Sequence, residues 1–222
     1  MLKGLIFDLD GVIVDSHPAH KLAWKTFFAS IGKAVSDDDL SFVLEGRKRE
    51  DILRHFLGDL SDEQVSHYGA KKEALFRGSA EELKTISGLP HFLDRVEGAR
   101  LPIALASSAS RSRAEYMLDA LSLRQRFCTI VTGDDVARGK PDPAIFRLAA
   151  LGLGLDAEHV LVCEDSVAGI EAAKSAGMKC LAIAANGRGP LLLEAGADRV
   201  IPDFTTADLE ELRTMFQKTT LR

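Results

Sequence analysis

The sequence predicts an α/β protein, a Rossmann-like parallel sheet with helices on both faces and a small α-helical cap domain inserted after the first strand. From residue 100 onward, short apolar segments alternate with helical patterns, which is typical of a parallel sheet covered on both faces. A similar apolar segment, GLIFDLD, stands near the N-terminus. Between them only helical patterns occur. We therefore expect residues 1–16 and 87–222 to form the core and 17–86 the cap.

The first strand is expected at residues 4–8, because this run is short and apolar and ends in polar residues. The first helix follows in HPAHKLAWKTFFASIG, where apolar residues from Trp24 to Ile31 recur on one face. Pro18 suits its first turn, and Gly32 suits its end. Further helical patterns lie at 36–44, 49–57, 62–77 and 79–86.

The second part of the chain supplies the remaining strands and helices. Asp142 and Pro143 have the sequence of an N-cap followed by a first helical residue, and Ser166 is suited to cap the next helix. Strands are expected at 100–107, 128–133, 159–165 and 179–185, and helices at 110–121, 143–152 and 166–176.

Composition limits the classes of function. The formal net charge of -5 argues against a nucleic-acid partner, which requires a basic surface. No apolar stretch approaches the length of a membrane span. Cys128, Cys163 and Cys180 are odd in number and form no C-x-x-C pattern, which argues against a disulfide framework or a zinc knuckle. We expect a cytoplasmic monomer.

Polar residues collect where three of the predicted strands end. In an open parallel sheet, ligands bind outside the carboxyl ends of the strands, so these side chains are candidates for one site. A lysine in the loop RGKPDP precedes a capped helix and is a further candidate. The candidates are Asp8, Asp10, Ser107, Ser108, Glu164, Asp165 and Lys140.

The chemistry of this set points to phosphoryl transfer. Two carboxylates about 4 Å apart repel by roughly 4 kcal/mol at an effective dielectric constant near 20, so a buried cluster needs a cation. Oxygen-only ligands favour Mg²⁺. A carboxylate nucleophile, Mg²⁺, the ammonium group of Lys140 and the hydroxyl of Ser107 together form a site that can transfer a phosphoryl group.

Four segments resemble, in order, the motifs of the haloacid-dehalogenase-like superfamily of phosphotransferases. They are DLDGVIVDS, LASS, GKPDPAIF and CEDSVAGIEAAKSAGM. The similarity covers nearly the whole chain. The helical insertion looks like the small cap of the β-phosphoglucomutase-like subfamily. Superfamily dehalogenases lack the second aspartate, so Asp10 speaks against that activity.

The resemblance implies a role for each matching residue. Asp8 would attack phosphorus and become an aspartyl phosphate. Asp10 would protonate the leaving oxygen and then help to activate the incoming water or hydroxyl. Ser107 and Lys140 would bind the transferred phosphate, and Lys140 would also restrain Asp8. The implied Mg²⁺ ligands are Asp8, the main-chain carbonyl of Asp10, Asp165 and Glu164, the last directly or through water.

The cap loop EGRKREDIL resembles the specificity loop of β-phosphoglucomutases. Gly46 and Arg49 match its glycine and arginine, and the matching arginine grips a substrate phosphate that is not transferred. Lys72 and His20 match two further cap positions. Trp24 matches another, although its helical spacing favours a place in the apolar core of the cap.

We expect an Mg²⁺-dependent phosphatase for a small phosphorylated sugar or a related metabolite. The mutases have an additional polar residue after the hydroxyl of the second motif, in the pattern S-A-S. Here the run is SSAS, so that contact is shifted or lost, and ARGKPDP looks more like the phosphatases. A β-phosphoglucomutase that interconverts β-glucose 1-phosphate and glucose 6-phosphate is the alternative. A non-catalytic receiver-like domain is a third, but an insertion of about 70 residues there argues against it.

Overall fold

A computed structural model of the chain describes residues 1–79 and 83–217. Its centre is a sheet of six parallel strands in the order β3-β2-β1-β4-β5-β6. This confirms the predicted α/β Rossmann-like fold. The strands are β1 Gly4–Phe7, β2 Ile103–Ser107, β3 Thr129–Thr132, β4 Val160–Glu164, β5 Lys179–Ile183 and β6 Arg199–Ile201.

The strand β1 lies between β2 and β4, so Leu5 is opposite Ile103 on one side and Leu161 on the other. The chain builds the β2–β3 half of the sheet first and then crosses to β4. The strand order therefore reverses beside β1. Ligands of such sheets bind in the crevice at this reversal, outside the carboxyl ends of the strands.

Ten α-helices surround the sheet or pack beyond it within the described ranges. The first four, α1 to α4, are consecutive and lie between β1 and β2 in sequence. Their bounds are α1 His17–Ser30, α2 Asp37–Phe42, α3 Arg49–Leu57 and α4 Asp62–Ser79. The other six are α5 Leu89–Gly98, α6 Arg111–Ala120, α7 Ala144–Leu153, α8 Val167–Ser175, α9 Gly189–Glu194 and α10 Leu209–Thr214.

Each face of the sheet has its own apolar core because side chains alternate along a strand. Phe7 packs on one face with Phe92 and Phe204, whose rings belong to the same cluster. Ile6 points to the opposite face, where it joins Phe146 of α7. Both faces of β1 are therefore fully buried.

The helices α1–α4 have a separate apolar cluster. Trp24 stacks on Phe28 with ring centroids 5.4 Å apart, and Leu53 of α3 is buried in the same cluster. Two chain segments join these helices to the sheet, at 13–16 and 83–88. Hydrogen bonds tie the segments together, from Asp15 N to Lys84 O at 2.9 Å and from Ile86 N to Ile13 O at 3.0 Å.

Some predicted elements differ from the structure. The helix predicted at 79–86 is wrong for residues 83–86, where Thr85 forms a bridge with Val14, and residues 80–82 lie outside the described ranges. The helix predicted from Pro143 begins at Ala144, so Pro143 occupies the capping position. Helices α5, α9 and α10 and strand β6 were not predicted. The last three are only three to six residues long, too short for a periodic pattern.

No helix in the described parts of the chain is both long and apolar enough to cross a membrane. The three cysteines are free thiols. Cys163 and Cys180 are buried in the neighbouring strands β4 and β5, and Cys128 is exposed.

Candidate active site

The carboxyl ends of β1, β2 and β4 open into a cavity that the helices α1, α3 and α4 cover. The structure brings most of the predicted site residues into its wall. Lys140 and Glu164 lie directly behind Asp8, within hydrogen-bonding distance of it or of each other. The predicted residues that line the cavity are Asp8, Asp10, His20, Gly46, Arg49, Lys72, Ser107, Ser108 and Asp165.

Lys140 is fully buried and joins two carboxylates. Its Nζ donates to Asp8 Oδ1 at 2.6 Å, to Glu164 Oε1 at 2.6 Å and to the Ala106 carbonyl at 3.3 Å. Burial opposes its charge, but the carboxylates of Asp8 and Glu164 raise the pKa of Lys140 above its usual value. All three ammonium protons have acceptors, so in this arrangement Lys140 could act on a ligand only through its charge.

Glu164 is held at the start of α8. Its Oε2 accepts from the Asp165 and Ser166 amides at 2.7 Å each and from Ser166 Oγ at 2.9 Å. A Cβ at Gly169 would lie 1.8 Å from Oε1, so only glycine allows this approach. Both oxygens are already hydrogen-bonded. In this arrangement Glu164 orients Lys140, and its part in holding a metal, directly or through water, stays a prediction.

Asp8 and Asp165 lack sufficient positive charge around them. Burial raises the pKa of Asp8 well above its usual range, and neighbouring carboxylates add to the effect while Lys140 opposes it. Burial also raises the pKa of Asp165, although a hydrogen bond from His17 at 3.1 Å acts to lower it. Asp8, Lys140, Glu164 and Asp165 are called the core cluster below.

The core cluster fits a divalent cation. A Cβ at Gly11 would lie 2.2 Å from Asp165 Oδ2, and Gly11 has φ +75°, so a glycine is needed for the loop after β1 to pass this close. Over the residues described, no three His, Cys, Asp or Glu side chains form a complete metal site. Mg²⁺ needs no such set, because one or two carboxylates and several waters hold it. The oxygens of Asp8 and Asp165 therefore suit Mg²⁺.

Asp10 turns away from the core cluster toward the helices above it. Its Oδ1 accepts from Ser16 Oγ at 2.6 Å and lies 3.1 Å from His20 Nε2, and its Oδ2 accepts from Arg113 Nη2 at 3.0 Å. Although burial raises it, Arg113 and His20 hold the pKa of Asp10 well below its usual range. Asp10 is therefore ionised in this arrangement, which is the form of a proton acceptor.

His20 connects Asp10 to α4. Lys72 Nζ lies 2.9 Å from His20 Nδ1, so the partners assign the ring proton to Nε2, which donates to Asp10. Burial and the charge of Lys72 lower the pKa of His20 to about 3, so its imidazole is neutral. Burial and the charge of Arg113 lower the pKa of Lys72 to about 7. Asp10, His20, Lys72 and Arg113 are called the cap network below.

Arg113 was missed by the sequence analysis. It lies in the first turn of α6, whose buried face also carries Ala114, Met117 and Leu118. The sequence contained a signal for its burial, since Arg113 lies at the N-terminal end of an apolar face of α6. A charged residue in such a position needs a buried partner. His17 was also missed as a site residue, although it lies on Asp165 and lines the cavity.

Ser107 and Ser108 differ in what their hydroxyls contact. Ser107 Oγ accepts from the Ala109 amide at 3.1 Å, which leaves its proton for another acceptor. Ser108 Oγ donates to the Gly46 carbonyl at 2.6 Å. The predicted phosphate contact of Ser108 is therefore replaced, in this arrangement, by a hydrogen bond between the loop after β2 and the loop before α3.

The loop that precedes α3 makes further contacts with the core. Glu45 Oε1 accepts from Arg188 at 2.7 Å, and Lys48 Nζ donates to the Val136 carbonyl at 2.9 Å. Arg49 begins α3 against Gly69, where a Cβ would lie 2.6 Å from Arg49 Nε. This Nε is buried and has no hydrogen-bond partner among the described residues. Arg49 therefore has donor capacity left beside the cavity.

Comparison with known proteins assigns this architecture to a family. The profile described as haloacid dehalogenase-like hydrolase matches residues 5–183. A phosphorylated carbohydrates phosphatase of Thermotoga maritima is 33% identical over 210 residues, which cover 88% of this chain and 92% of that protein. A beta-phosphoglucomutase of Bacillus subtilis is 33% identical over 230 residues, which cover 100% of this chain and 98% of that protein.

Solved structures share the fold over almost the whole chain. The crystal structure of a beta-phosphoglucomutase from Clostridium difficile has a TM-score of 0.87 and covers 97% of each chain. Its sequence identity is 24%, so the likeness concerns the fold. The sheet and the helices inserted after β1 thus belong to a fold that solved structures share.

Proposed function

Because the chain belongs to the haloacid dehalogenase-like hydrolases and is therefore an enzyme, we propose that it is an Mg²⁺-dependent phosphatase for a small phosphorylated sugar or a related metabolite. The observation that carries the proposal is the position of Lys140 Nζ, 2.6 Å from both Asp8 Oδ1 and Glu164 Oε1. This contact fixes the buried carboxylate of Asp8 at the end of a cavity whose wall carries basic side chains. A carboxylate held in this way can attack phosphorus.

The reaction has two steps on this proposal. Asp8 attacks phosphorus, the bond from phosphorus to the substrate oxygen breaks, and Asp10 gives that oxygen a proton. A water molecule then loses a proton to Asp10 and attacks the phospho-aspartate, which releases inorganic phosphate and restores Asp8. The ionised Asp10 of this structure has the protonation state needed for the second step. It must bind a proton before the first.

The remaining polar groups stabilise charge. Asp8, Asp165 and the main-chain carbonyl of Asp10 would hold Mg²⁺, which supplies charge neutralisation at the transferred phosphoryl group when bound. Lys140 adds a fixed ammonium charge behind Asp8. Ser107 keeps a hydroxyl proton for a phosphate oxygen.

We also propose that residues 17–86 form a cap domain that closes over the core and selects the substrate. His20, Arg49 and Lys72 support this, because all three come from the inserted helices and line the cavity opposite Asp8. A cover of this kind excludes water from the reacting groups. Arg49 and Lys72 would bind the outer, anionic or hydroxylated end of a sugar phosphate.

The test is phosphate release from a panel of phosphorylated sugars and sugar alcohols, with and without Mg²⁺. We expect activity that chelation removes, and a loss of at least about 10⁴-fold in Asp8→Asn, as for the loss of other nucleophiles. Asp15→Asn is the matched control, since Asp15 is an exposed carboxylate of the same segment, and it should stay within about twofold. A panel that yields no phosphate would remove the phosphatase proposal.

A β-phosphoglucomutase is the second candidate. The relative of that name in Bacillus subtilis aligns with the whole of this chain, and Gly46, Arg49, Lys72 and His20 all line the cavity. The run SSAS argues the other way, because it departs from the S-A-S pattern of the mutases. A coupled assay decides: a mutase forms glucose 6-phosphate from β-glucose 1-phosphate, depends on added bisphosphate and releases little phosphate.

A further inference from the structure

Arg113 links Asp10 to the inserted helices. The proposed mechanism has so far given it no part in the reaction, in phosphate or metal binding, or in the selection of the substrate. Arg113 is a core residue of α6, and its side chain is almost completely buried. Its Nη2 donates to Asp10 Oδ2 at 3.0 Å. Its Nη1 lies 3.9 Å from Glu73 Oε2, and its guanidinium carbon lies 5.4 Å from the centre of the Phe76 ring. Glu73 and Phe76 both belong to α4.

The placement of this charge is costly and calls for a physical reason. Arg113 Nε is buried and finds no hydrogen-bond partner within residues 1–79 and 83–217. Replacing a buried ionic group by an apolar side chain of similar volume is often neutral or stabilising. The neighbours Ala114, Met117 and Leu118 show that this face of α6 otherwise packs as an apolar surface. Stability alone therefore does not account for an arginine at this position.

The hydrogen bonds of Asp10 indicate what Arg113 does. Oδ1 has two donors, Ser16 and His20, whereas Oδ2 has Arg113 as its hydrogen-bond donor. A carboxylate oxygen has two lone pairs, so Oδ2 is the oxygen with capacity for a substrate hydroxyl or a water. Arg113 fixes the direction of the oxygen that would exchange the proton. Ser16 and His20 both bind Oδ1, so without Arg113 the carboxylate could pivot on Oδ1 and Oδ2 would have no fixed position.

The contacts with α4 make this arrangement depend on the inserted helices. A planar guanidinium can contact two carboxylates at once because its donors point in fixed directions. On the Phe76 side the ring face attracts the same cation. We propose that Arg113 is a positioning residue of the proposed phosphatase, which aims Asp10 Oδ2 for proton transfer when Glu73 and Phe76 lie over it. This inference rests on the proposed function.

The test compares Arg113→Gln, Arg113→Lys and Glu73→Gln in the full-length protein with Mg²⁺ and a substrate found in the panel. Proton transfer by a positioned group contributes about 10²- to 10⁴-fold. We expect Arg113→Gln to lower kcat by about 10²-fold while KM changes less than about threefold. Arg113→Lys should keep about ten times more activity than Arg113→Gln, and Glu73→Gln should lower kcat by about threefold.

Arg111→Gln is the matched control. Arg111 lies one half-turn earlier on the same helix and pairs with Asp135 at 2.7 Å on the surface, away from Asp10. Its loss should leave kcat within about twofold. An equal loss of kcat in Arg111→Gln would show that the loss in Arg113→Gln comes from a less stable helix. That result would overturn the proposal. So would an Arg113→Gln variant with normal kcat and a raised KM, because Arg113 would then bind substrate.

A crystal structure of Arg113→Gln separates this inference from the proposed function. We expect the Asp10 carboxylate to rotate away from its present direction while the Lys140 contacts stay unchanged. This readout does not need a known substrate, so it tests Arg113 even if the panel gives no phosphate. An Asp10 carboxylate that stays in place would overturn the proposal.

Discussion

The core cluster and the cap network hold two carboxylates that are only two residues apart, and they hold them in different ways. Asp8 is fixed by Lys140, which the loop before α7 supplies to the same sheet edge. Asp10 is fixed by partners from α1, from α6 and, through His20, from α4. The proposed nucleophile is thus set by the core of the protein, whereas the proposed proton-transfer group also depends on the inserted helices.

The comparison teaches where the two halves of the chemistry are controlled. The charge of Lys140 in the core cluster is permanent, because the carboxylates of Asp8 and Glu164 raise its pKa against the opposing effect of burial. Charge in the cap network is adjustable, because the pKa of Lys72 is near 7. We therefore expect substitutions in the core cluster to abolish turnover. Substitutions of His20, Lys72 and Arg113 in the cap network should change turnover and substrate binding by smaller factors.

The largest effect is expected for Lys140→Met, which leaves Asp8 and Glu164 buried without their shared cation. Turnover should fall by at least about 10⁴-fold, and the free energy of unfolding should fall by about 3–5 kcal/mol, as when one partner of a buried pair is removed. Phosphate release and urea unfolding measure the two effects. Lys174→Met is the control, because Lys174 pairs with Asp198 at the surface and should cost at most about 1 kcal/mol.

Next comes the pH dependence of substrate binding. Lys72 loses its proton as the pH rises through about 7, because burial lowers its pKa from the usual value near 10. If its charge binds the substrate, KM should rise by up to about tenfold between pH 7 and 9. Lys72→Arg stays charged over this range and should show a flat KM. The same rise in Lys72→Arg would assign the effect to another group.

Gly69→Ala should displace Arg49 without removing its charge. The added Cβ would lie 2.6 Å from Arg49 Nε, so the guanidinium must shift. We expect KM to rise about three- to tenfold with kcat nearly unchanged. Gly78→Ala on the same helix is the control, since its Cβ would meet no atom within 4 Å among the residues that the structure describes. An unchanged KM in Gly69→Ala would show that the position of Arg49 does not matter for binding.

The smallest effect is expected for Ser108→Ala, which removes the hydrogen bond to the Gly46 carbonyl. One such bond contributes about 0.5–1.5 kcal/mol. If it only holds the loop before α3 to the core, kcat and KM should each change by less than about tenfold. A larger rise in KM for substrates with a second phosphate would instead assign Ser108 to substrate binding.

The core cluster could be predicted from sequence because parallel strands end at one edge. Asp8, Glu164 and Asp165 each follow a short apolar run, so strand order alone brings them together. The cap network could not be predicted in the same way. Whether Arg113 meets Asp10 depends on how α6 packs beside the loop after β1. Whether Ser108 meets Gly46 depends on how the inserted helices rest on the core, and no local pattern encodes either packing.

The fold shows the same division. Strands β1, β2, β4 and β5 were predicted within a few residues because each is buried on both faces. The link at 83–86 was predicted as part of a helix at 79–86 from a local helical pattern. Its backbone instead pairs with the loop after β1, through contacts distant in sequence.

That pairing has a mechanical consequence. Val14 and Thr85 run antiparallel, and hydrogen bonds on either side of them join the two links into a single narrow ribbon. Two independent tethers would let the four helices twist as well as tilt, whereas a joined ribbon acts as one hinge. If these helices close over the core as proposed, they should rotate about one axis. The entrance to the cavity should then open at the same edge in every catalytic cycle.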